Sequence, residues 1–505
     1  MSLSATRAVI PSRCLALVLL LCSGCGGGGD GGSGASGQAA SSISIPPGAI
    51  QVTLNQPPQL QSPLSGVKGC GLSLVYNGGS GFSDTCGALS WSTISTTLVW
   101  SVGAHGVTAG TPYSITVKTQ PTAPRQDCVV TNGSGIVSAT AVMIVPVTCT
   151  TLTARFVYVV NGSGNSISAY SIDPASGVLG VVNGSPFATA AGPSAITVDR
   201  DAGYAYVARQ GTNSVVAYAI DITSGALSTV SGVSGSTGQR PTALMIDQAS
   251  HFLFAANGNS GTVSILFVNP STVPLALSTG PQVTAGSSPS AIATSTPWVR
   301  YGQGIAAYVY VANAGSNSVS GYQINGSFSA LTPVAGTPVV TGIGPRALAV
   351  DKAGKFLYVA NTGSGTVGVY GIDTPAGAST NATANGGALT PIAGSPFAVG
   401  GTPNAIALDP LGRFLFVVSD TTNTIATYAI ASSTGALTSL TAITTTGISP
   451  AAVSVEPSGK FLYVVNSGSN DVSGYAINAT SGALTPVAGS PYAAGDLPTA
   501  IAIAD

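Results

Sequence analysis

The stretch FLYVANTGSGTVGVYGID, residues 356–373, places two strand-like runs on either side of a polar glycine loop. In both runs, β-branched and aromatic residues alternate with small ones, the pattern of a half-buried strand. Aligned on its aromatic residue, the phrase recurs as FVYVVN at Tyr158, YAYVAR at Tyr206, FLFAAN at Phe254, YVYVAN at Tyr310, FLYVAN at Tyr358, FLFVVS at Phe416 and FLYVVN at Tyr463. The intervals are 48, 48, 56, 48, 58 and 47 residues. That period suits a four-stranded propeller blade and not a helical solenoid. Each copy keeps one order: the YVAN strand, a glycine loop, a second strand such as TVGVYGID, a third near ALTPIAGSPF, then Pro-x-Ala and an apolar strand ending near Asp.

The repeat is out of phase at its two ends. The array starts on a YVAN strand and finishes on LPTAIAIAD, the kind of strand that elsewhere precedes YVAN. An open array would expose unpaired strand edges. Pairing the C-terminal strand, Thr499 to Ala504, beside the blade begun at Phe156 removes them. Seven Pro-x-Ala stretches, at Pro193, Pro241, Pro289, Pro345, Pro403, Pro450 and Pro498, match the seven YVAN strands. The reading is a closed ring of seven blades over residues 153–505.

Composition agrees with an all-β chain. Charged residues are 6% of the 505, with 15 Lys plus Arg against 16 Asp plus Glu, so no field favours nucleic acid or an anionic membrane surface. Hydrophobic residues are 44%, enough apolar surface to argue against disorder. Beyond the N-terminus no helical periodicity is visible, and Gly or Pro interrupts every few residues.

Residues 1–24 have a signal-peptide layout: Arg7 and Arg13, an apolar run from Cys14 to Cys22 too short to span a bilayer, then small residues. LCSGC resembles the lipobox of bacterial lipoproteins, although Cys22 stands where Leu is usual. The resemblance implies lipidation of Cys25 and a membrane anchor. Gly26 follows in place of the Asp that marks inner-membrane retention in enteric-type lipoproteins, which leans the expected location towards the outer membrane. Residues 25–49, rich in Gly and Ser, read as the lipidated cysteine and a flexible tether.

Residues 50–152 read as a small β-sandwich domain holding Cys70, Cys86, Cys128 and Cys149. Export favours disulfides over metal ligation, no CxxC suggests zinc, and four cysteines allow three pairings. The run from Tyr113 to Cys149 resembles a β-sandwich repeat of bacterial surface proteins whose two cysteines match Cys128 and Cys149. That resemblance implies that these two pair, leaving Cys70 for Cys86. Trp91, Trp100 and His105 read as core or surface residues.

With YVAN, the polar loop, VxxYxID and GxPxAIAxDPxG all in place, residues 154–505 resemble the YVTN repeats and the seven-bladed lactonase-like propellers related to bacterial 6-phosphogluconolactonase. The resemblance specifies the fold; propellers host many functions. The residues between Pro and Ala, Ser194, Thr242, Ser290, Arg346, Asn404, Ala451 and Thr499, are expected near the mouth of the central channel. The loops after YVAN should open on the same face with Asn161, Arg209, Asn257, Asn313, Asn361, Ser419 and Asn466, together with Asp420 and Asp471, and Arg240 and Asp496 join them from just before their inner strands. The asparagines read as turn residues bonded to their own backbone. Arg209, Arg240 and Arg346 are the ligand-binding candidates. On the opposite face Asp199, Asp247, Asp351, Asp409 and Glu456 read as turn caps and His251 as a solvated turn residue.

Lactonase-like relatives commonly carry Pro-Arg-His at the start of an inner strand. Here Pro345 and Arg346 match, and Ala347 replaces the histidine. Without a positioned acid or base, lactone opening would fall to Arg346, assisted by Arg209 or Arg240. No CxxCH, zinc-ligand or EF-hand spacing implies a cofactor or metal. The reading is a monomeric, lipid-anchored envelope protein whose propeller serves as a non-catalytic scaffold for a small molecule, carbohydrate or protein. A lactonase acting on a sugar-acid lactone is the alternative, and a structural adhesion component the third.

Overall fold

The computed structural model describes strands between residues 50 and 151 and, from residue 156 to 504, the chain apart from 191, 200–202, 248–251, 270–275, 296–307, 325–329 and 374–385. Residues 1–49, with Cys25 and its tether, lie outside the described residues, as do Cys70, Cys86, Trp91, His105 and His251.

Between residues 50 and 151 the strands form two four-stranded sheets. One orders Thr97–Trp100, Ile50–Asn55, Met143–Thr151 and Gln126–Val130, and the antiparallel pairing of the last two sets Cys128 opposite Cys149. The other orders Phe82–Ser83, Ser73–Tyr76, Pro112–Thr119 and Ser134–Ile136.

From Phe156 onward the chain builds seven antiparallel sheets, each a blade. Blade 5 contains the opening phrase: inner strand Pro345–Val350, second strand Phe356–Asn361, third strand Thr366–Ile372, and an outer edge split into Leu389–Pro391 and Phe397–Ala398. Blade 1 is assembled from both ends of the array. Its second strand is Phe156–Asn161, and its inner strand is the C-terminal Pro498–Ala504, paired from Pro498 opposite Asn161 to Ala504 opposite Phe156. The inner strands of blades 2, 3, 4, 6 and 7 are Pro193–Val198, Pro241–Ile246, Pro289–Thr294, Pro403–Leu408 and Pro450–Val455. Consecutive inner strands pack side by side around the whole ring, including blade 7 against blade 1.

The core lies between blades. Second strands are almost wholly buried, and each apolar cluster joins residues of two neighbouring blades; Tyr358, Val367, Leu415 and Tyr428, for example, unite blades 5 and 6. The same holds at the junction of blades 7 and 1, where Val157 and Tyr170 pack with Tyr463 and Val465. Period-2 alternation explains this, since successive side chains on one strand point to opposite neighbours.

Tyrosines lock these junctions. The second-strand hydroxyls of Tyr158, Tyr310, Tyr358 and Tyr463 donate to the carbonyls of Gly225, Gly387, Gly435 and Gly177, each in the next blade. Third-strand tyrosines reach the other way: Tyr170, Tyr322, Tyr370, Tyr428 and Tyr475 donate to carbonyls of the preceding blade's outer edge. Burial drives the Tyr158 and Tyr463 phenols well above the ordinary tyrosine range and that of Tyr170 up to about 12, so all remain protonated donors.

The glycines that accept these bonds are fixed twice over. Gly225 has φ +75, and a Cβ there would stand 2.3 Å from Cδ1 of Phe156 in the preceding blade. Gly232 has φ +77 but open space around it. Gly225→Ala is therefore expected to lower the unfolding free energy by roughly 2–4 kcal/mol, combining left-handed backbone and overpacking costs. Gly232→Ala should cost about 1–2 kcal/mol from the backbone alone. Urea titrations of the two variants check this, and equal losses would contradict the inter-blade contact.

Candidate functional site

Every inner strand begins at Pro on one rim of the ring, and the loop after each second strand opens there too. Gly162 N–H, for instance, donates to Leu497 O, just ahead of Pro498. The sequence PSAITV, PTALMI, PSAIAT, PRALAV, PNAIAL, PAAVSV and PTAIAIA of the seven inner strands makes a channel wall of small and aliphatic residues. Arg346 is the one ionisable side chain on these strands.

The residue after each Pro sits in a β-bulge, where the register skips from Pro to Ala. Its side chain is mostly engaged in the ring. Ser194 Oγ donates to Pro241 O at 2.7 Å, Thr242 Oγ1 to Pro289 O at 2.8 Å, Ser290 Oγ to Pro345 O at 2.7 Å, and Asn404 Nδ2 to Pro450 O at 2.9 Å, each reaching the next blade. Thr499 Oγ1 is buried without a partner.

Blade 5 departs from this pattern. Its bulge residue is Arg346, and the bond to Pro403 O comes instead from Thr362 Oγ1 at 2.7 Å, from the loop. Arg346 is exposed, and among the described residues its guanidinium has no hydrogen-bond or ion-pair partner. A hydroxyl from the loop has freed the arginine from structural duty. In blades 1 and 3 the loop position of Thr362 is Gly162 or Gly258, whose missing Cβ would lie against Thr499 or Thr242. Sequence reading missed this exchange; its signal is the pairing of a Ser, Thr or Asn after Pro with its absence from the loop, and the reverse.

The expected asparagines bond across the hairpin, not to their own turn. Asn161 Nδ2 donates to Ser166 and Ser168 Oγ at 3.0 and 2.9 Å, and Asn466 Nδ2 to Ser473 Oγ at 2.9 Å and Asp471 Oδ1 at 2.6 Å. Asp420 accepts from Thr402 Oγ1. On the opposite face Asp199, Asp247, Asp351, Asp409 and Glu456 accept from backbone N–H groups of their turns, as capping residues do.

The three arginines are carried by different elements of the ring. Arg240 stands before blade 3's inner strand, exposed, with φ +55 and its N–H bonded to Asn213 Oδ1 at 2.8 Å. Arg209 ends the second strand of blade 2 in the place of the bracketing asparagine, and its Nη2 donates to Ser214 Oγ at 3.2 Å. Arg346 alone is carried on an inner strand.

A family model for lactonases, described as a seven-bladed β-propeller, matches residues 150–294 and 307–501. The chain belongs to this lactonase family. Among solved structures, this lactonase-family propeller is similar to a putative 6-phosphogluconolactonase of Bacteroides fragilis, at 22% identity and TM-score 0.56, covering 70% of this chain and 99% of that one. It is also similar to a periplasmic gluconolactonase of Pseudomonas aeruginosa, at 21% identity and TM-score 0.57, over 70% of this chain and 99% of that one. These likenesses concern the fold. No curated protein matches the chain in sequence. Within the lactonase-family ring, Arg346 occupies the Pro-Arg position and Ala347 pairs with Ala360 of the second strand.

If Thr362 replaces Arg346 as the strut, Thr362→Val leaves Pro403 O without its donor, for a loss of about 1–3 kcal/mol. Adding Arg346→Thr to that variant should recover part of it by restoring the arrangement of Thr242. A double-mutant cycle in urea reads the coupling, and strictly additive effects would refute the exchange.

Proposed function

We propose that the chain is a lactone-directed propeller whose channel mouth receives a sugar-acid lactone on Arg346 and opens its ring by hydrolysis. One observation carries this reading: in a ring whose other bulge residues are short and largely tied to the next blade, Arg346 is exposed and released by Thr362. Membership of the lactonase family supports it, and the two gluconolactonase-type structural neighbours suggest the substrate class.

In the proposed step, water adds to the lactone carbonyl and gives up its protons to solvent on the way to the carboxylate, while the Arg346 guanidinium donates N–H bonds to the oxygen that becomes negative. The acyl carbon to ring oxygen bond then breaks. The ring oxygen leaves as a hydroxyl with a proton from solvent, and the carboxylate product is held by the same guanidinium. Preorganised donors of this kind are worth roughly 100- to 1,000-fold. A general base would add about 100-fold or more, and Ala347 cannot provide it. A modest catalyst is the expected result.

Ala347 favours a second reading in which the mouth binds the lactone or sugar acid without turning it over. The same proposal places the propeller in the cell envelope as a monomer, lipidated at Cys25 and preceded by a β-sandwich with Cys128–Cys149 and Cys70–Cys86 disulfides. The two four-stranded sheets and the register of Cys128 with Cys149 support the β-sandwich and the first of these disulfides.

Acid release from 6-phosphogluconolactone and gluconolactone, measured against spontaneous hydrolysis, separates the two readings. The chain should exceed the buffer rate, and Arg346→Ala should lower kcat/KM by about 100-fold. The rate should carry no inflection near pH 6.5, about where a histidine base would titrate. Saturable binding lost in Arg346→Ala without acceleration would favour the non-catalytic reading, and neither binding nor turnover would overturn both.

A further inference from the structure

We propose that blade 2 contains a second, separate site for a small oxyanion, built around Arg209. A cleft of about 180 Å³ opens there between the third and outer strands, with Arg209, Tyr218, Thr229 and Ser234 among its lining residues. That volume takes a phosphate- or carboxylate-sized ion with a few waters.

Arg209 occupies the place where five other blades hold Asn161, Asn257, Asn313, Asn361 and Asn466. An asparagine is neutral and satisfies the hairpin hydroxyls; an arginine brings a charge and five donors. Of those donors one is bonded to Ser214 Oγ, while Nε is buried with no partner. Among the described residues no carboxylate lies within ion-pair distance of the guanidinium. A partly buried cation without a counter-charge is costly, so a bound anion would relieve both deficits.

The cleft lies at a bulge in the outer edge of blade 2. In blades 1, 5 and 7 the serine before a cis proline bonds the third-strand N–H of Ala169, Val369 or Gly474 at 2.9 Å and closes the gap. Blade 2 has no such serine bond among the described residues, and like blades 3 and 6 its outer strand bulges instead. That strand runs as Leu227–Ser236, with Val216 opposite Ser234 and Tyr218 opposite Thr229, so that Ala217, the counterpart of Ala169, faces no residue. Tyr218 is also unlike its equivalents: five other third-strand tyrosines donate to the preceding blade, whereas Tyr218 has no such bond among the described residues. A fork of guanidinium donors with hydroxyls around it is the chemistry that holds an oxyanion.

This site does not depend on the lactone reading, because Arg346 is on another blade. Calorimetric titration of the whole chain with inorganic phosphate, at constant ionic strength, tests it, with acetate in parallel to distinguish a phosphate from a carboxylate site. A saturable signal with at least one anion is expected. Arg209→Asn, the residue of the other blades, should weaken it by roughly 10- to 100-fold. Arg209→Lys, which keeps charge but not the fork, should weaken it by about tenfold and carries the test if the asparagine variant fails to fold. Because the channel mouth also holds a carboxylate in the proposed function, the titrations are repeated on Arg346→Ala, where the Arg209-dependent part of the signal should persist. No signal with either anion, an unchanged signal in both Arg209 variants, or loss of the Arg209-dependent part with Arg346→Ala would overturn the proposal.

Discussion

The ring depends on burying every second strand between two neighbours. No blade has a core of its own; its apolar side chains alternate to left and right and are covered only when both adjoining blades are present. Tyrosine hydroxyls fix the distance between neighbours by bonding backbone carbonyls across the junction, forward from second strands and backward from third strands. At the closure, Tyr463 reaches Gly177 and Tyr170 reaches Ala493, so blades 7 and 1 are held from both sides as well as by the C-terminal strand. A ring built this way has no weak seam where its two ends meet.

The same constraint decides what is left for chemistry. Polar side chains at the start of the inner strands are drawn into the ring as struts to the next proline carbonyl, and the asparagines of the loops bracket their own hairpins. A functional residue at the mouth has to be one that the ring can spare. Thr362 makes Arg346 such a residue. In blade 2 the replacement of the bracketing asparagine by Arg209 does something similar further out, at the cost of an unsatisfied Nε and an open cleft.

Much of the fold could be read from the repeat. Seven copies of the YVAN phrase, their spacing and the phase of LPTAIAIAD specify blade number and closure, because a pleated strand exposed on both sides has few other ways to hide its edges. The turn carboxylates on the far face were legible for the same local reason. Side-chain partners across junctions were not. That Tyr158 bonds Gly225, or that Ser194 bonds Pro241, depends on positions 67 or 47 apart in sequence returning to one place, which no local pattern records. Grouping Arg209, Arg240 and Arg346 followed from their shared rim, whereas the direction of each side chain is set by strand pleat and bulge.

The central claim is that closure by the C-terminal strand holds the whole ring together, and removing residues 497–505 tests it most directly. Far-UV circular dichroism and thermal unfolding of the truncated chain should show loss of the cooperative transition, since Val157 and Val159 lose the strand that covers them and the junction of blades 7 and 1 opens. A truncated chain that unfolds cooperatively at the same temperature as the full one would contradict the account.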